Sequence, residues 1–269
     1  MLCQFMFSNY RSYRDETTLS MQASSMKEFS QSLFVGGDGQ LFLPVAVIYG
    51  PNAGGKSNLI EALGYVRSAV ARPIIALMSG RKALQEPMPR IPRCSPFLFD
   101  QVHAEMPSEF EVYYRVGGFE YRYRLGVNAS KISSEGLWRR KVGASRAAML
   151  FERSEDKINL GSSLRRAGLS VNFNSAIPYL SFLYMNTDLE SIHEAASWFL
   201  DCVYLNYSSF YLEHVLEETL DEKDSSEITG FLNAIDVRVK GFRVEEEDGG
   251  RRHRVYVKHV VGGSEYELR

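Results

Sequence analysis

The chain has 269 residues, 45% of them hydrophobic, and a formal net charge of -2 on 24% charged residues, which excludes a disordered polymer and a globally basic nucleic-acid coat. Cys3, Cys94 and Cys202 are odd in number and widely spaced, so neither a disulfide framework nor a zinc knuckle is indicated, and a reducing cytoplasm is the expected setting. The N-terminus reaches Arg11 without a long apolar core, and the run Leu41 to Tyr49 is broken by Pro44 and too short for a bilayer, so no signal peptide or membrane anchor is expected.

In chain order, Leu2 to Phe7 and Thr17 to Ala23 alternate around a charged turn at Arg14, Asp15 and Glu16, which predicts a strand pair. Residues 24 to 40 are rich in Ser, Gln and Gly and read as a loop. The apolar run Val45 to Tyr49 suits a buried parallel strand. From Lys56 to Val70, Leu59, Ile60, Leu63, Val66 and Val70 recur at helical spacing, and Pro73 is expected to stop the helix.

Residues 73 to 96 contain five of the nine prolines and read as an exposed connection. Glu109 to Val116 and Phe119 to Val127 flank Gly117-Gly118, a two-residue hairpin turn, with Phe110, Val112, Tyr114 and Val116 on one face. Ile132 to Trp138 and Ala147 to Glu152 continue the antiparallel pattern. Beyond Pro178 the period changes: Ile192, Ala195, Ala196 and Phe199 form a helical stripe, and Phe210 to Leu220 and Ile228 to Ile235 predict two further helices. The chain closes on a hairpin, Val237 to Glu245 and Val255 to Val261, whose arms bring acidic residues opposite Arg251, Arg252 and Arg254. Those arginines, like Arg139, Arg140, Lys141 and Arg146, are either a solvated face or a local DNA contact.

The segment Gly50-Pro51-Asn52-Ala53-Gly54-Gly55-Lys56-Ser57 fits G-x-x-x-x-G-K-[ST], and each part has a mechanical reason. The glycines let the backbone wrap phosphate oxygens, and consecutive amides and a helix start supply positive potential. Lys56 adds a full charge for the β- and γ-phosphates, and Ser57 is placed to ligate Mg²⁺. This predicts a site for a nucleoside triphosphate, ATP with Mg²⁺, but not the reaction, because such loops serve kinases, GTPases and ATP-driven switches alike. A kinase is disfavoured by the long antiparallel meander after the first helix. The five histidines are scattered, with no metal-ligand spacing.

The order of elements resembles the ABC-type ATPase heads of the RecF, SMC and OLD group. The carriers are an opening strand ending in Asn9-Tyr10-Arg11-Ser12, a second strand, and the loop GPNAGGKSN. The chain is similar to prokaryotic RloA-like "AAA family ATPase" proteins of phage-defence modules at three further places: Ser95-Pro96-Phe97 before the strand from Pro107 to Glu111, Leu150 to Arg153, and Asp236 to Val244. The resemblance implies an α/β P-loop NTPase fold: a mixed sheet with an appended antiparallel meander over residues 1–177, a helical insertion over 178–235, and a hairpin over 236–269 returning to the lobe.

It further implies that Asn52, Ala53, Gly54, Gly55, Lys56, Ser57 and Asn58 wrap the phosphates. Arg11 and Ser12 border the nucleotide, with a solvated turn residue as the other reading of Arg11. The function implied is a nucleotide-driven dimerisation switch, as a homodimer or larger oligomer of heads, with a nuclease or toxin effector and DNA as candidate partners. A nucleotide-sensing scaffold and a DNA-repair head are the alternatives. No signature segment or apolar run closed by Asp-Glu is found: Phe97 to Asp100 and Trp198 to Asp201 come nearest, and both read as core. The expectation is therefore an N-terminal lobe, truncated or half of a split protein, that binds ATP and hydrolyses it efficiently only when completed.

Overall fold

The computed structural model describes residues 1–24, 30–78, 91–155, 157–169, 175–204, 229–230, 233, 240–247, 252–261 and 264–268. The chain divides into two compact units, 1–202 and 203–269. The first is built on a seven-stranded sheet of β1 (Leu2–Ser8), β2 (Thr17–Ser20), β5 (Ser108–Val116), β6 (Phe119–Asn128), β7 (Lys131–Lys141), β8 (Ala148–Ser154) and β9 (Lys157–Leu160), ordered β2-β1-β5-β6-β7-β8-β9. A small hairpin, β3 (Phe34–Val35) and β4 (Leu41–Phe42), stands apart from it. Every ladder among the described residues is antiparallel.

The alternation of β5 and β6 decides which face is buried: Phe110, Val112, Tyr114, Tyr121, Tyr123 and Leu125 all point into the core. Gly117 and Gly118 join these strands with φ of 58° and 79°, a pair of left-handed residues that matches strand twist and that a side chain would disfavour. Over this face lie α1 (Lys56–Met78), α4 (Tyr179–Asn186) and α5 (Glu190–Asp201). The stripe Ile192, Ala195, Ala196 and Phe199 of α5 is buried as its spacing predicts. Tyr114 stacks on Trp198 at 4.7 Å between ring centroids and donates its hydroxyl to the Ala195 carbonyl at 2.8 Å, so the ring is both buried and satisfied.

The other face carries paired charges. Arg122 meets Glu111, Arg124 meets Glu109 and Arg140 meets Glu120. Arg115 reaches the β3–β4 connection, donating to both carboxylate oxygens of Asp38 at 2.8 Å and to Gln40 at 2.7 Å. These bonds hold the Asp38 carboxyl below its ordinary pKa. A carboxyl depressed in the folded state contributes stability above its unfolded pKa and loses it as pH falls through the folded value. Asp38→Asn is therefore expected to lower the urea midpoint at pH 7 and to shrink the difference from the native chain as pH drops below about 4. Parallel denaturation series at pH 7 and pH 3 check this.

One helical expectation changes. Helix α1 does not stop at Pro73 but continues to Met78 with the proline inside. Pro73 removes the N–H that the Ala69 carbonyl would receive, and at the next carbonyl, Val70, the buried Ser181 hydroxyl of α4 donates at 2.8 Å. Packing against α4 and α5 keeps the last turns in place. Pro178 precedes α4, and no side chain of its own caps that helix. The buried Glu135 of β7 does so from across the core, accepting the N–H groups of Tyr179 at 2.6 Å and Leu180 at 3.0 Å.

The largest correction concerns Val45 to Tyr49. This run is in no ladder, and Val45, Val47 and Tyr49 are 68%, 79% and 90% exposed. An apolar run reads as a buried strand only when neighbours cover it, and none of the described strands pairs with it; the sheet that the resemblance implies to be mixed is antiparallel among the described residues. Phe97 to Asp100 is likewise not core: Leu98 and Phe99 are 69% and 87% exposed, and Asp100 caps α2 (Gln101–Glu105) through the Val102 N–H. Trp198 to Asp201 lies in α5, with Trp198 and Phe199 buried. The loop expected at 24–40 contains a short 3-10 turn, Ser30–Ser32, and strand β3. In the segment 73–96, Ile91 and Cys94 are buried, and 79–90 lie outside the described residues. A short helix α3 (Ser162–Arg166) follows β9.

In the second unit, β10 (Gly241–Glu247), β11 (Arg252–Val261) and β12 (Ser264–Leu268) form an antiparallel sheet. Its register sets Glu245 opposite Arg254 and Glu247 opposite Arg252, as the charge pattern predicts; the strand β12 was not read from the sequence. The helix expected over Phe210 to Leu220 lies outside the described residues, as does most of the one over 228–235. No helix among the described residues is long and apolar enough to cross a membrane.

Candidate phosphate-binding site

Residues 50–55 form an open loop that runs straight into α1 at Lys56. Three loop residues have positive φ: Gly50 at 155°, Ala53 at 62° and Gly55 at 83°. A side chain at Gly55 would bring its Cβ to 2.9 Å from the Ser12 hydroxyl and 3.3 Å from the Tyr13 ring, so glycine is required there by both conformation and space. The Gly54 N–H closes the loop onto the Pro51 carbonyl at 3.2 Å.

Lys56 turns back across the loop. Its ammonium donates to the carbonyls of Gly50 at 2.9 Å and Pro51 at 2.7 Å. A flexible cation is thereby pinned over the backbone of the loop. Asn52, Ala53 and Gly54 line the exposed loop, and Ser57 is exposed one residue into the helix. Beside Gly50 nothing lies within 4 Å of where a Cβ would stand. This is a cradle with a fixed positive charge, backbone amides at a helix start and an accessible hydroxyl, which fits a triphosphate and the Mg²⁺ that accompanies it.

The turn expected beside the nucleotide is in contact with this loop. The Asn58 side-chain amide donates to the Ser12 hydroxyl at 2.8 Å, and Arg11 reaches the Asn58 oxygen at 3.4 Å and pairs with Glu61. Arg11 is thus held to the first two turns of α1 rather than solvated freely. Asn58 faces the turn with both ends of its amide. Sequence reasoning missed Tyr13, whose hydroxyl donates to the Gly55 carbonyl at 3.2 Å, and Glu61, which lies three residues beyond Asn58 on the same helix face. Helical spacing alone could have drawn attention to Glu61; nothing local to Tyr13 pointed at the loop.

Gly55→Ala is expected to weaken nucleotide binding by about tenfold, because the added methyl strains a left-handed position and pushes the Ser12–Tyr13 turn away. Titration of a fluorescent ATP analogue checks this.

The candidate DNA clusters are partly neutralised. Arg139 pairs with Glu194 and stacks over Phe119, and Arg140 pairs with Glu120, leaving Lys141 and Arg146 exposed. The side chains of Arg251, Arg252 and Arg254 lie outside the described residues. His103 is held by Asp100 at 2.7 Å, and His193 contacts the Thr187 carbonyl at 2.7 Å, both local roles.

No curated protein matches the chain. Residues 45–174, just under half of the chain, match the family described as "AAA domain, putative AbiEii toxin, Type IV TA system". The match begins at the exposed run before the loop and spans the loop, α1 and the strands β5 to β9. Together with the loop geometry it supports a P-loop ATPase domain of AAA type in this chain.

Proposed function

We propose that this chain is an ATP-binding head of the RloA-like, ABC-type kind that works as a nucleotide-driven dimerisation switch in phage defence. The observation that carries this reading is the Lys56 ammonium fixed across the loop by the Gly50 and Pro51 carbonyls, at the start of α1. In that position it meets the β- and γ-phosphates, the backbone N–H groups of 52 to 58 donate to the remaining phosphate oxygens, and Ser57 provides a hydroxyl for Mg²⁺. Mg²⁺, when bound, neutralises phosphate charge. Arg11 and Ser12 border the site through Asn58.

The exposed Val45, Val47 and Tyr49 support a composite site. Five residues of apolar chain immediately before the loop carry backbone groups in no ladder, so a strand from elsewhere can pair there and bring catalytic carboxylates to the γ-phosphate. ATP binding would then order that interface and hydrolysis release it. The description of the matching family as a toxin of a toxin–antitoxin system supports an abortive-infection role with a toxin or nuclease effector over DNA repair.

Light scattering after gel filtration tests the switch. Expected is a larger assembly with a non-hydrolysable ATP analogue than with ADP, and slow turnover by this chain alone. Rapid turnover abolished by Lys56→Ala would overturn the composite site. Binding with neither turnover nor assembly, even beside its natural partner, would favour a nucleotide-sensing scaffold.

A further inference from the structure

We propose that Asn9 and Tyr13 are positioning residues for the phosphate loop, and that filling the loop is transmitted through their turn to residues 95–107. This rests on the reading of the loop as a nucleotide site.

The turn from Asn9 to Tyr13 is tight and over-determined. Asn9 and Arg11 hold φ of 53° and 51°, the left-handed region that non-glycine residues occupy uncommonly and asparagine more readily than most. Tyr10 and Tyr13 exchange backbone hydrogen bonds at 2.8 and 2.9 Å, and the Asn9 N–H reaches the Arg14 carbonyl at 3.1 Å. Asn9 and Tyr10 are buried, and Tyr13 packs edge-on against Phe7 of β1 at 4.9 Å. A turn so braced shifts as one body.

One side of that body is fastened to the loop. The Tyr13 hydroxyl donates to the Gly55 carbonyl, which also receives the Leu59 N–H at 3.2 Å. The Gly55 carbonyl belongs to the same rigid peptide plane as the Lys56 N–H, so Tyr13 fixes the direction in which that amide points. Ser12 and Arg11 hold Asn58, and Arg11 pairs with Glu61. A phosphate that pulls the 55–56 peptide therefore pulls the Tyr13 hydroxyl.

The other side is fastened to the chain before β5. The Asn9 side-chain amide donates to the carbonyls of His103, Met106 and Pro107 at 2.8, 2.9 and 3.2 Å. Its oxygen accepts the Phe97 N–H at 3.0 Å. The Ser108 hydroxyl donates to the Asn9 carbonyl at 2.5 Å, and the Arg11 N–H to the Ser95 carbonyl at 2.9 Å. The hydrogen-bonding groups of a buried asparagine are spent on one short segment, which otherwise exposes Leu98, Phe99 and Val102 and has little packing of its own to hold it. Its order depends on Asn9, and the position of Asn9 depends on the loop.

Amide hydrogen exchange on the full chain, with and without Mg·ADP, reads the link directly. Expected is slower exchange at the Phe97 and Arg11 amides when the loop is filled, beyond any change across β6 to β9. Tyr13→Phe keeps the ring against Phe7 and removes one hydroxyl; it should weaken Mg·ADP binding about fivefold, leave the melting temperature unchanged and abolish the nucleotide effect at Phe97. Ser12→Ala should halve the affinity or less. Nucleotide binding to the native chain with unchanged exchange at 95–107, or native affinity in Tyr13→Phe, would overturn the link while leaving the phosphate site intact. Failure of the native chain to bind nucleotide at all would overturn the site and the link together.

Discussion

Lys56→Ala should lower the affinity for Mg·ATP by at least about 100-fold, because charge-assisted hydrogen bonds to two phosphate groups are worth about 1.5–3 kcal/mol each. The ligand-free protein should hardly notice. The two bonds that Lys56 makes are to exposed carbonyls, which water can satisfy once the ammonium is gone. A melting temperature within about 2 °C of the native value is therefore expected alongside the lost binding. Lys56→Arg separates charge from shape: a planar guanidinium cannot sit between the Gly50 and Pro51 carbonyls as a compact ammonium does, so it should recover only part of the affinity. Fluorescence titration and thermal unfolding on the same preparations check both halves.

Glu135→Ala should behave in the opposite way, costing about 3–5 kcal/mol of stability, the range for removing one partner of a buried ion pair. Glu135 is buried beside Arg153 at 3.6 Å, and it accepts the Tyr123 hydroxyl at 3.0 Å and the first N–H groups of α4. Its loss leaves a guanidinium, a phenol and a helix start in the core with fewer partners. The urea midpoint measures the cost.

The pH dependence carries its own sign. Burial raises the Glu135 pKa, against the opposing pull of Arg153, the α4 amides and Tyr123. A carboxyl raised in the folded state holds its proton after the unfolded chain has released it, so its contribution falls as pH rises from about 4.3 toward the folded value. Relative to Glu135→Gln, the native chain should lose stability across that interval, whereas the Asp38 contribution is constant there and grows with pH only below about 4. Denaturation series at several pH values separate the two carboxylates.

The legible parts of this protein are those where local spacing coincides with what packing demands. Alternation placed β5 and β6 and their buried aromatic face, Gly117-Gly118 placed their turn, and the 3.6-residue stripe placed α5. The phosphate loop was readable because its requirements are local: glycine conformations, a helix start, and a lysine and a serine at fixed offsets. Pro73 and the run Val45 to Tyr49 misled for the same reason in reverse. A proline inside a helix and an apolar strand outside a sheet are both settled by neighbours distant in sequence, α4 and α5 in the first case and the lack of a pairing strand among the described residues in the second.

By itself, then, the sequence determined the form of the loop from Gly50 to Ser57, since every element of it lies within eight consecutive residues. Only the tertiary structure decided what holds that cradle. Ser12 meets Asn58 across 46 positions of chain and Tyr13 meets Gly55 across 42, and Asn9 meets His103 and Met106 across 94 and 97. Contacts of that span leave no periodic trace, because they depend on where β1 ends against β5 and not on any spacing within a segment.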